Sequence, residues 1–449
     1  MAETDHADVV IIGGGVVGCA IFRRLALAGL KPLLLERGAD ILSGASKGNS
    51  AILHTGFDAP TGSLEVACMQ AGYREYLEIH DRLNLPLMET GALVVAWDEA
   101  QMERLPGIVA QAHANGVSDV TQISADEVRR REPNLAGHAQ GAVLVPREHL
   151  IDPWSAPLAY ALQGIAHGGR ILRNCTVTGG KFHGRWTLET SQGEITAGIV
   201  INAAGNHGDT IEAICRPSPF KVTPRKGQFV VFDKPAAQLI RSIILPVPTE
   251  RTKGIVICRT VFGNVIVGPT AEDQEERDIA AVDHDMLEML VAKGRALLPG
   301  LNEVGVNALY AGLRPATQFK DYQIEALPDR SWITVAGIRS TGLTAALGIG
   351  AHVADLYSKH FKPLTAAEPI WTPVPNLCEE RARPYQSNGD IVCHCEWVTR
   401  GEIIDALEGP LPAGDVGGLK RRTRAMMGRC QGFYCSANVA ALAADRLKP

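Results

Sequence analysis

The stretch from Asp8 to Glu36, "DVVIIGGGVVGCAIFRRLALAGLKPLLLE", constrains the fold more than any other part of the chain. "DVVII" reads as a short buried strand, "VVGCAIFRRLALAG" as a helix with one apolar face, and "KPLLLE" as a second buried strand. Between the first strand and the helix stands Gly13-x-Gly15-x-x-Gly18. Gly13 permits the tight turn, and Gly15 lets the backbone, with Val16 and Val17 opening the helix, approach a pyrophosphate. Gly18 allows close helix–strand packing. The helix N-terminus adds N–H groups and positive dipole for phosphates. Glu36 closes the second strand, followed by Arg37, where a carboxylate accepts hydrogen bonds from ribose hydroxyls. Alone, the glycine pattern is weak; the whole strand–glycine–helix–strand–glutamate unit is strong and reads as a site for one dinucleotide, FAD or NAD. No second glycine fingerprint follows, because "GNHGD" and "LGIG" lack the spacing and flanks.

A chain of 449 residues is too long for one ordinary core and suggests two or three domains. A net charge of -5 gives no bulk basic field, so nucleic acid is not expected as a partner. The most apolar stretches are short or broken by Gly, His and Asp, so no transmembrane segment is expected. The acidic, polar "MAETDHAD" does not read as a secretory signal. The expected location is the cytoplasm, with peripheral association at the inner membrane compatible.

Helical patterns recur near 62–84, 100–115 and 152–167, while "KGQFVVF", "GIVICRTVFGNVIVGP" and "WITVAGI" read as strands. "GLTAALGIGAHVADLYSKHF" reads as a helix returning the chain to the nucleotide fold. The expected organisation is an oxidoreductase unit over 1–361, its second region formed mainly by 85–150 and 220–330. A proline-punctuated linker over 362–388 and a small module over 389–449 follow.

Past the loop, "SGASKGNSAILHTGFDAPTGSLEVACMQAG" resembles the flavin-contacting segment of FAD-dependent glycerol-3-phosphate dehydrogenases, within the D-amino-acid-oxidase-like flavoprotein superfamily. The likeness continues in chain order through "VPREHLIDPW", "VINAAGNHGD", "PRKGQFVVFDK", "GNVIVGPTAED", "GLRPAT" and "GIRSTGLTAALGIGAHVAD". It implies an α/β fold: a Rossmann-like FAD-binding domain with an inserted mixed-sheet α+β substrate domain. Ser46, Asn49 and Ser50 would lie along the flavin loop, Ala204 and Gly205 in a further FAD-adjacent turn, and Gly312 would be a further cofactor-binding residue. Arg339, Ser340, Thr341, Gly342, Leu343 and Thr344 would bring a helix N-terminus close to the flavin ring. L-2-hydroxyglutarate-oxidising enzymes share "NSAILHTGF", but "PRKGQF" and "GIRSTGLT" look closer to the glycerol-phosphate group.

Oxidising an alcohol carbon needs a hydride acceptor at the C–H and a base at the O–H; flavin supplies the first. His54 matches the family's active-site histidine, and an imidazole can take the hydroxyl proton near working pH. A small anionic substrate needs fixed positive charge. Arg314 matches the family's anion-binding arginine, Lys226 a lysine facing the same pocket, and Arg339 is a third candidate. A surface salt bridge is the ordinary alternative for any one of them.

Cysteine use divides in two. Cys19, Cys68, Cys175, Cys215, Cys258 and Cys378 are scattered and read as small core residues, reduced in the cytoplasm. Cys393-x-Cys395 and Cys430-x4-Cys435 are clustered and can supply four sulfur ligands. Zinc is the main alternative to a [2Fe–2S] cluster, although the one-residue spacing suits zinc poorly. "VCHCEWVTRGEIIDAL" and "GLKRRTRAMMGRCQGFYC" resemble the bacterioferritin-associated-ferredoxin-like [2Fe–2S] module, which implies a small helical domain with these four ligands. Lys420, Arg421, Arg422, Arg424 and Arg429 form a basic run that would favour the reduced cluster, dock an acidic carrier or anionic lipid, or be a solvated helix face.

Together these point to an FAD- and [2Fe–2S]-containing dehydrogenase, with sn-glycerol 3-phosphate as leading substrate. A 2-hydroxy acid, an amino acid or an opine are the enzymatic alternatives. The cluster would hand electrons to a quinone or an electron-carrier protein. A reading of another class makes the chain the electron-transfer subunit of a hetero-oligomer.

Overall fold

The computed structural model describes residues 5–248, 254–379, 390–444 and 446–447. The core of an eight-stranded sheet is parallel, running Arg170–Leu172, Leu33–Leu35, Asp5–Ile12, Gly193–Asn202 and Trp332–Ala336. Val9, Val10 and Ile11 are fully buried, as strands covered on both faces must be. An antiparallel meander, Val177–Phe182 and Trp186–Thr190, pairs with the start of Gly193–Asn202. Gln323–Leu327 closes the other edge.

Helix Val16–Leu27 follows the glycine turn. Helices Leu64–Ile79 and Gly342–His360 meet at two glycines. A Cβ on Gly72 would come 2.1 Å from the Thr344 carbonyl oxygen, and one on Gly348 would come 2.1 Å from that of Cys68. This backbone approach fixes where the Gly342–His360 helix begins.

The second sheet has nine strands, drawn from residues 92–145 and 222–317. Its longest pair is Val222–Phe232 against Val306–Thr317, antiparallel, with Gly227 opposite Gly312 and Arg225 opposite Arg314. Ile243–Pro246 runs parallel to Ala92–Ala96, which makes the sheet mixed. A third, three-stranded sheet joins Ile52–Leu53, His149–Ile151 and Leu87–Glu89. It is small, but its register places His54.

Beyond the last long helix, residues 362–379 run without regular structure along the first domain. Ala367 N–H donates to the Leu27 carbonyl, Gln163 Nε2 to that of Ile370 and Val374 N–H to that of Leu83. Arg82 stacks on Trp371, 5.0 Å from its centroid. Residues 380–388 of the stretch read as a linker lie outside the described residues. The last part carries strands Ile391–Cys393 and Val398–Thr399 and helices Arg400–Glu408, Val416–Thr423 and Ser436–Ala443. It has its own small core around Val398, Ile403, Leu419 and Val439. Among the described residues, no helix is long and apolar enough to cross a membrane.

Candidate active site and metal centre

One cavity of about 740 Å³ runs between the first two sheets. The glycine turn forms one wall. Gly13 has φ +113°, and a Cβ there would meet the Ala203 carbonyl oxygen at 2.5 Å, so only glycine fits. Gly18 lies behind the wall, where a Cβ would meet Gly13 O at 1.9 Å; its role is the close packing its spacing predicts. Helix Val16–Leu27 starts at Gly15 with no side-chain cap from that residue, although Ser46 Oγ accepts the Val16 N–H at 3.0 Å. Glu36 holds the turn from the next strand, accepting the N–H groups of Gly14 and Gly38, each at 2.7 Å. Burial raises its carboxyl above the ordinary range, opposed by these two N–H groups and by Arg37.

Of the residues read as cofactor-binding, all but Gly18, Thr341 and Thr344 line this cavity. Thr341 instead faces inward, bonded to Glu65 at 2.8 Å and Tyr322 at 2.6 Å. Thr344 Oγ1 accepts the His54 N–H at 3.0 Å and donates to Ile52 O, so it ties the helix start to the third sheet. Asn49 braces its own loop, with its amide on Ser46 O and its oxygen on Ala51 N–H. Arg37 pairs with Asp278, and Arg339 donates to Lys320 O with Glu65 3.8 Å away.

The third sheet builds a dyad that the sequence reading missed. Leu53 pairs with His149, so the next residue along each strand, His54 and Glu148, meet across the ladder. His54 Nδ1 lies 2.6 Å from Glu148 Oε2. The other Glu148 oxygen accepts both the Thr55 N–H at 2.6 Å and the Thr55 hydroxyl at 2.8 Å. Glu148 is fully buried, and an ionised carboxylate only accepts, so Nδ1 carries a proton toward it; in the neutral ring the lone pair is then on Nε2. Glu148 sits in the quoted run "VPREHLIDPW", but only strand register brings it to His54.

Arg314 lines the cavity; His54 and Lys226 lie beside rather than on its wall. Arg314 donates to the carbonyls of Thr270 at 2.7 Å, Lys226 at 3.2 Å and Arg225 at 3.3 Å. Among the described residues it forms no ion pair. Burial, then the Arg225 charge, lowers it to about 10. A guanidinium held by backbone and lacking a carboxylate is prepared for an incoming anion. Its neighbours are already paired: Arg225 with Asp273 at 2.6 Å, and Lys226 with Glu272 at 3.3 Å.

In the last module the thiols meet in two pairs, Cys395 with Cys430 and Cys393 with Cys435. The Tyr434 N–H, with Cys395 and the N–H groups of Gly432 and Phe433, holds the Cys430 thiol below its ordinary range against burial. Burial and then the neighbouring Cys393 push Cys435 up to about 11. Crowded thiols resist ionising together, and a shared cation reverses that. Trp397, Arg424, Met426 and Gln431 all take left-handed backbone conformations, which wrap the loops around the sulfurs. Among the described residues, no three His, Cys, Asp or Glu side chains gather to hold one metal ion. Two thiol pairs instead suit a two-iron cluster with four cysteine ligands.

The family model for FAD dependent oxidoreductases matches residues 8–356. The chain belongs to that family. A second model, the BFD-like [2Fe-2S] binding domain, matches residues 391–445. The glycerol 3-phosphate dehydrogenase of Caloramator mitchellensis is 32% identical over 98% of this chain and 94% of its own. The L-2-hydroxyglutarate dehydrogenase of Escherichia coli K12 is 28% identical, over 64% of this chain and 70% of its own. Among solved structures, the dithionite-reduced, FAD-bound L-alpha-glycerophosphate oxidase of Mycoplasma pneumoniae superposes with a TM-score of 0.77. It is 27% identical and covers 83% of this chain and all of that one. The cofactors of this oxidoreductase are FAD and a [2Fe–2S] cluster. The cavity, the glycine cradle and Glu36 fit the first; the four thiols and the N–H groups turned toward Cys430 fit the second.

Apart from the exposed Arg429, the basic run is not a solvated face. Arg422, with its side chain 7% exposed, grips Asp40 with both terminal nitrogens; Asp40 is fully buried four residues past Glu36. Arg421 donates to Ile41 O at 3.1 Å, and Arg429 pairs with Asp233. A Cβ on Gly418 would meet an Asp40 carboxylate oxygen at 1.7 Å and one on Gly414 the Ala39 carbonyl oxygen at 1.7 Å, so the module seats on the turn that follows Glu36 at backbone contact.

Proposed function

We propose that the chain oxidises sn-glycerol 3-phosphate to dihydroxyacetone phosphate and passes the electrons through its cluster to an external acceptor. Arg314 carries this reading: a cavity-lining guanidinium, pinned by three carbonyls and without an ion pair among the described residues, suits a phosphate dianion. The near full-length likeness to a glycerol 3-phosphate dehydrogenase, cysteine module included, supports the substrate class. Arg314 holds the phosphate and presents the secondary alcohol. His54 Nε2 takes the hydroxyl proton while Glu148 stabilises the imidazolium that forms. FAD, when bound, supplies the hydride acceptor. An iron–sulfur cluster held by cysteine thiolates supports a reducing compartment, the cytoplasm or the inner membrane's cytoplasmic face. A quinone or an electron-carrier protein would take the electrons.

The test is anaerobic flavin bleaching with a panel of sn-glycerol 3-phosphate, L-2-hydroxyglutarate, amino acids and an opine. Fast bleaching by glycerol 3-phosphate alone is expected. Preference for a carboxylate substrate refutes the assignment, and no bleaching by any member favours the electron-transfer-subunit reading.

A further inference from the structure

We propose that Arg424, Phe262 and Trp154 form a stacked bridge that couples the flavin cavity to the cluster in the docked position seen here. The inference rests on the flavin-to-cluster electron path of the proposed function and assigns residues to it.

Each of the three comes from a different part of the chain. Arg424 belongs to the cysteine module, Phe262 to the turn between strands Val256–Arg259 and Val265–Gly268, and Trp154 to the N-cap of helix Ser155–Ala166. The Arg424 guanidinium lies over the Phe262 ring, 3.9 Å from its centroid. Phe262 stacks on Trp154 with centroids 5.6 Å apart and planes 11° from parallel. Trp154 Nε1 donates to the Lys47 carbonyl at 3.1 Å, and Lys47 lines the cavity. At the other end Arg424 Nε bonds Glu396 at 2.9 Å, and Glu396 is the residue after ligand Cys395. An unbroken series of contacts thus runs from a cluster ligand to the cavity wall.

Two further observations single out this stack. Arg424 takes a left-handed conformation, φ +66°, at the end of helix Val416–Thr423, where glycine is the ordinary cap. It is also 4% exposed, so an arginine is buried at a strained position when a glycine would end the helix more easily. Asp152 meanwhile locks the Trp154 end: it is fully buried and accepts the Trp154 N–H at 2.9 Å. Burial raises the Asp152 carboxyl, and Arg424 is among the groups that oppose the rise.

Each substrate molecule oxidised gives up one hydride, which is two electrons together with one proton, and its hydroxyl proton leaves through His54. The oxidised [2Fe–2S] cluster accepts one electron at a time. The bridge is therefore crossed twice per turnover, and an external one-electron acceptor empties the cluster between crossings. The hydride's proton returns to water when the flavin is reoxidised. Phe262 and Trp154 are positioning residues in this scheme, since they touch neither the substrate nor the thiols.

The experiment compares holoenzyme with Phe262→Leu, which keeps packing volume but removes the ring face, and Phe262→Tyr, which keeps the face. Flavin is reduced in a stopped-flow instrument, once with sn-glycerol 3-phosphate and once by light with EDTA. Cluster reduction is followed by its absorbance and its electron paramagnetic resonance signal. In Phe262→Leu, the bridge predicts unchanged flavin bleaching and cluster reduction slowed by about tenfold or more, with Phe262→Tyr near wild type. Wild-type cluster reduction in a cluster-replete Phe262→Leu enzyme overturns the bridge. Equal slowing in Phe262→Leu and Phe262→Tyr overturns it as well, because a disturbed fit at the position, not the ring face, would then be the cause. Light reduction separates the two proposals: a wrong substrate abolishes bleaching by glycerol 3-phosphate but leaves this comparison intact. A Trp154→Leu enzyme repeats the test at the other end of the stack, with the same result expected and the same result overturning it.

Discussion

Replacing Glu148 by glutamine separates a working base from a histidine that merely sits beside the flavin. The substitution conserves shape, and the amide oxygen can still accept from the Thr55 N–H and hydroxyl, now at 2.6 and 2.8 Å. The amide nitrogen then faces His54 Nδ1, where a carboxylate oxygen stood 2.6 Å away. A donor there forces Nδ1 to accept, moves the ring proton to Nε2 and leaves no lone pair for the substrate hydroxyl. General-base catalysis contributes about 10²–10⁴-fold, so Glu148→Gln should lose about 3–5 kcal/mol of transition-state stabilisation. The assay is the rate of flavin bleaching by saturating substrate in anaerobic stopped-flow, with FAD content matched. Substrate affinity should barely change, because Arg314 is untouched. A variant within about threefold of wild type would refute both the dyad and the tautomer assignment.

Other substitutions probe the remaining parts. Arg314→Met removes a buried cation that no carboxylate pairs with among the described residues. KM should rise about a hundredfold, while thermal stability without substrate stays level or rises, measured by kinetics and melting. Because burial lowers Arg314 to about 10, its charge weakens as pH climbs through that value, so KM should rise above about pH 10 with kcat less affected. Cys430→Ser should lose cluster iron yet keep FAD and substrate bleaching, read by iron analysis and absorbance. Asp40→Ala strands the buried Arg422 at a cost of about 3–5 kcal/mol. It should speed hydrogen exchange across Val416–Thr423, and unchanged protection would mean the module is held elsewhere.

The parts of this molecule that were legible in the sequence are those written in consecutive residues. The glycine turn, its flanking strands and Glu36 are local, and Asp5–Ile12, Val16–Leu27 and Leu33–Leu35 appear where the pattern puts them. The helix Gly342–His360 and the spacings Cys393-x-Cys395 and Cys430-x4-Cys435 are legible for the same reason. Contacts set by register or docking were not. Glu148 lies 94 residues from His54, and nothing in "VPREHLIDPW" marks that carboxylate until Leu53 pairs with His149. Thr341 and Thr344 sit in a run whose neighbours line the cavity, yet helical geometry turns both inward to Glu65 and His54. The basic run had the opposite fate: five cations in ten residues resemble a solvated face until a buried Asp40, 382 residues from Arg422, takes one of them.

Asp40 explains how one chain accommodates both cofactors without a floating module. The strand that ends in Glu36 must turn sharply, and that turn has to stay rigid because Glu36 holds Gly14 and the phosphate loop behind it. A rigid, buried turn is also a good anchor for a second domain, and Arg422, Arg421 and the glycines at 414 and 418 use it as one. Arg424, two residues beyond Arg422, is carried onto Phe262 and so onto the loop around Lys47 on the other side of the cavity. The Arg422 anchor and the Arg424 stack thus share one short segment, Arg421 to Arg424, with a single residue, Thr423, between them. A shift of that segment large enough to break the Asp40 pair would also lift Arg424 from the ring. Loss of docking and loss of flavin-to-cluster transfer should therefore appear together in Asp40→Ala, whereas Phe262→Leu should lose transfer with hydrogen-exchange protection of the helix intact.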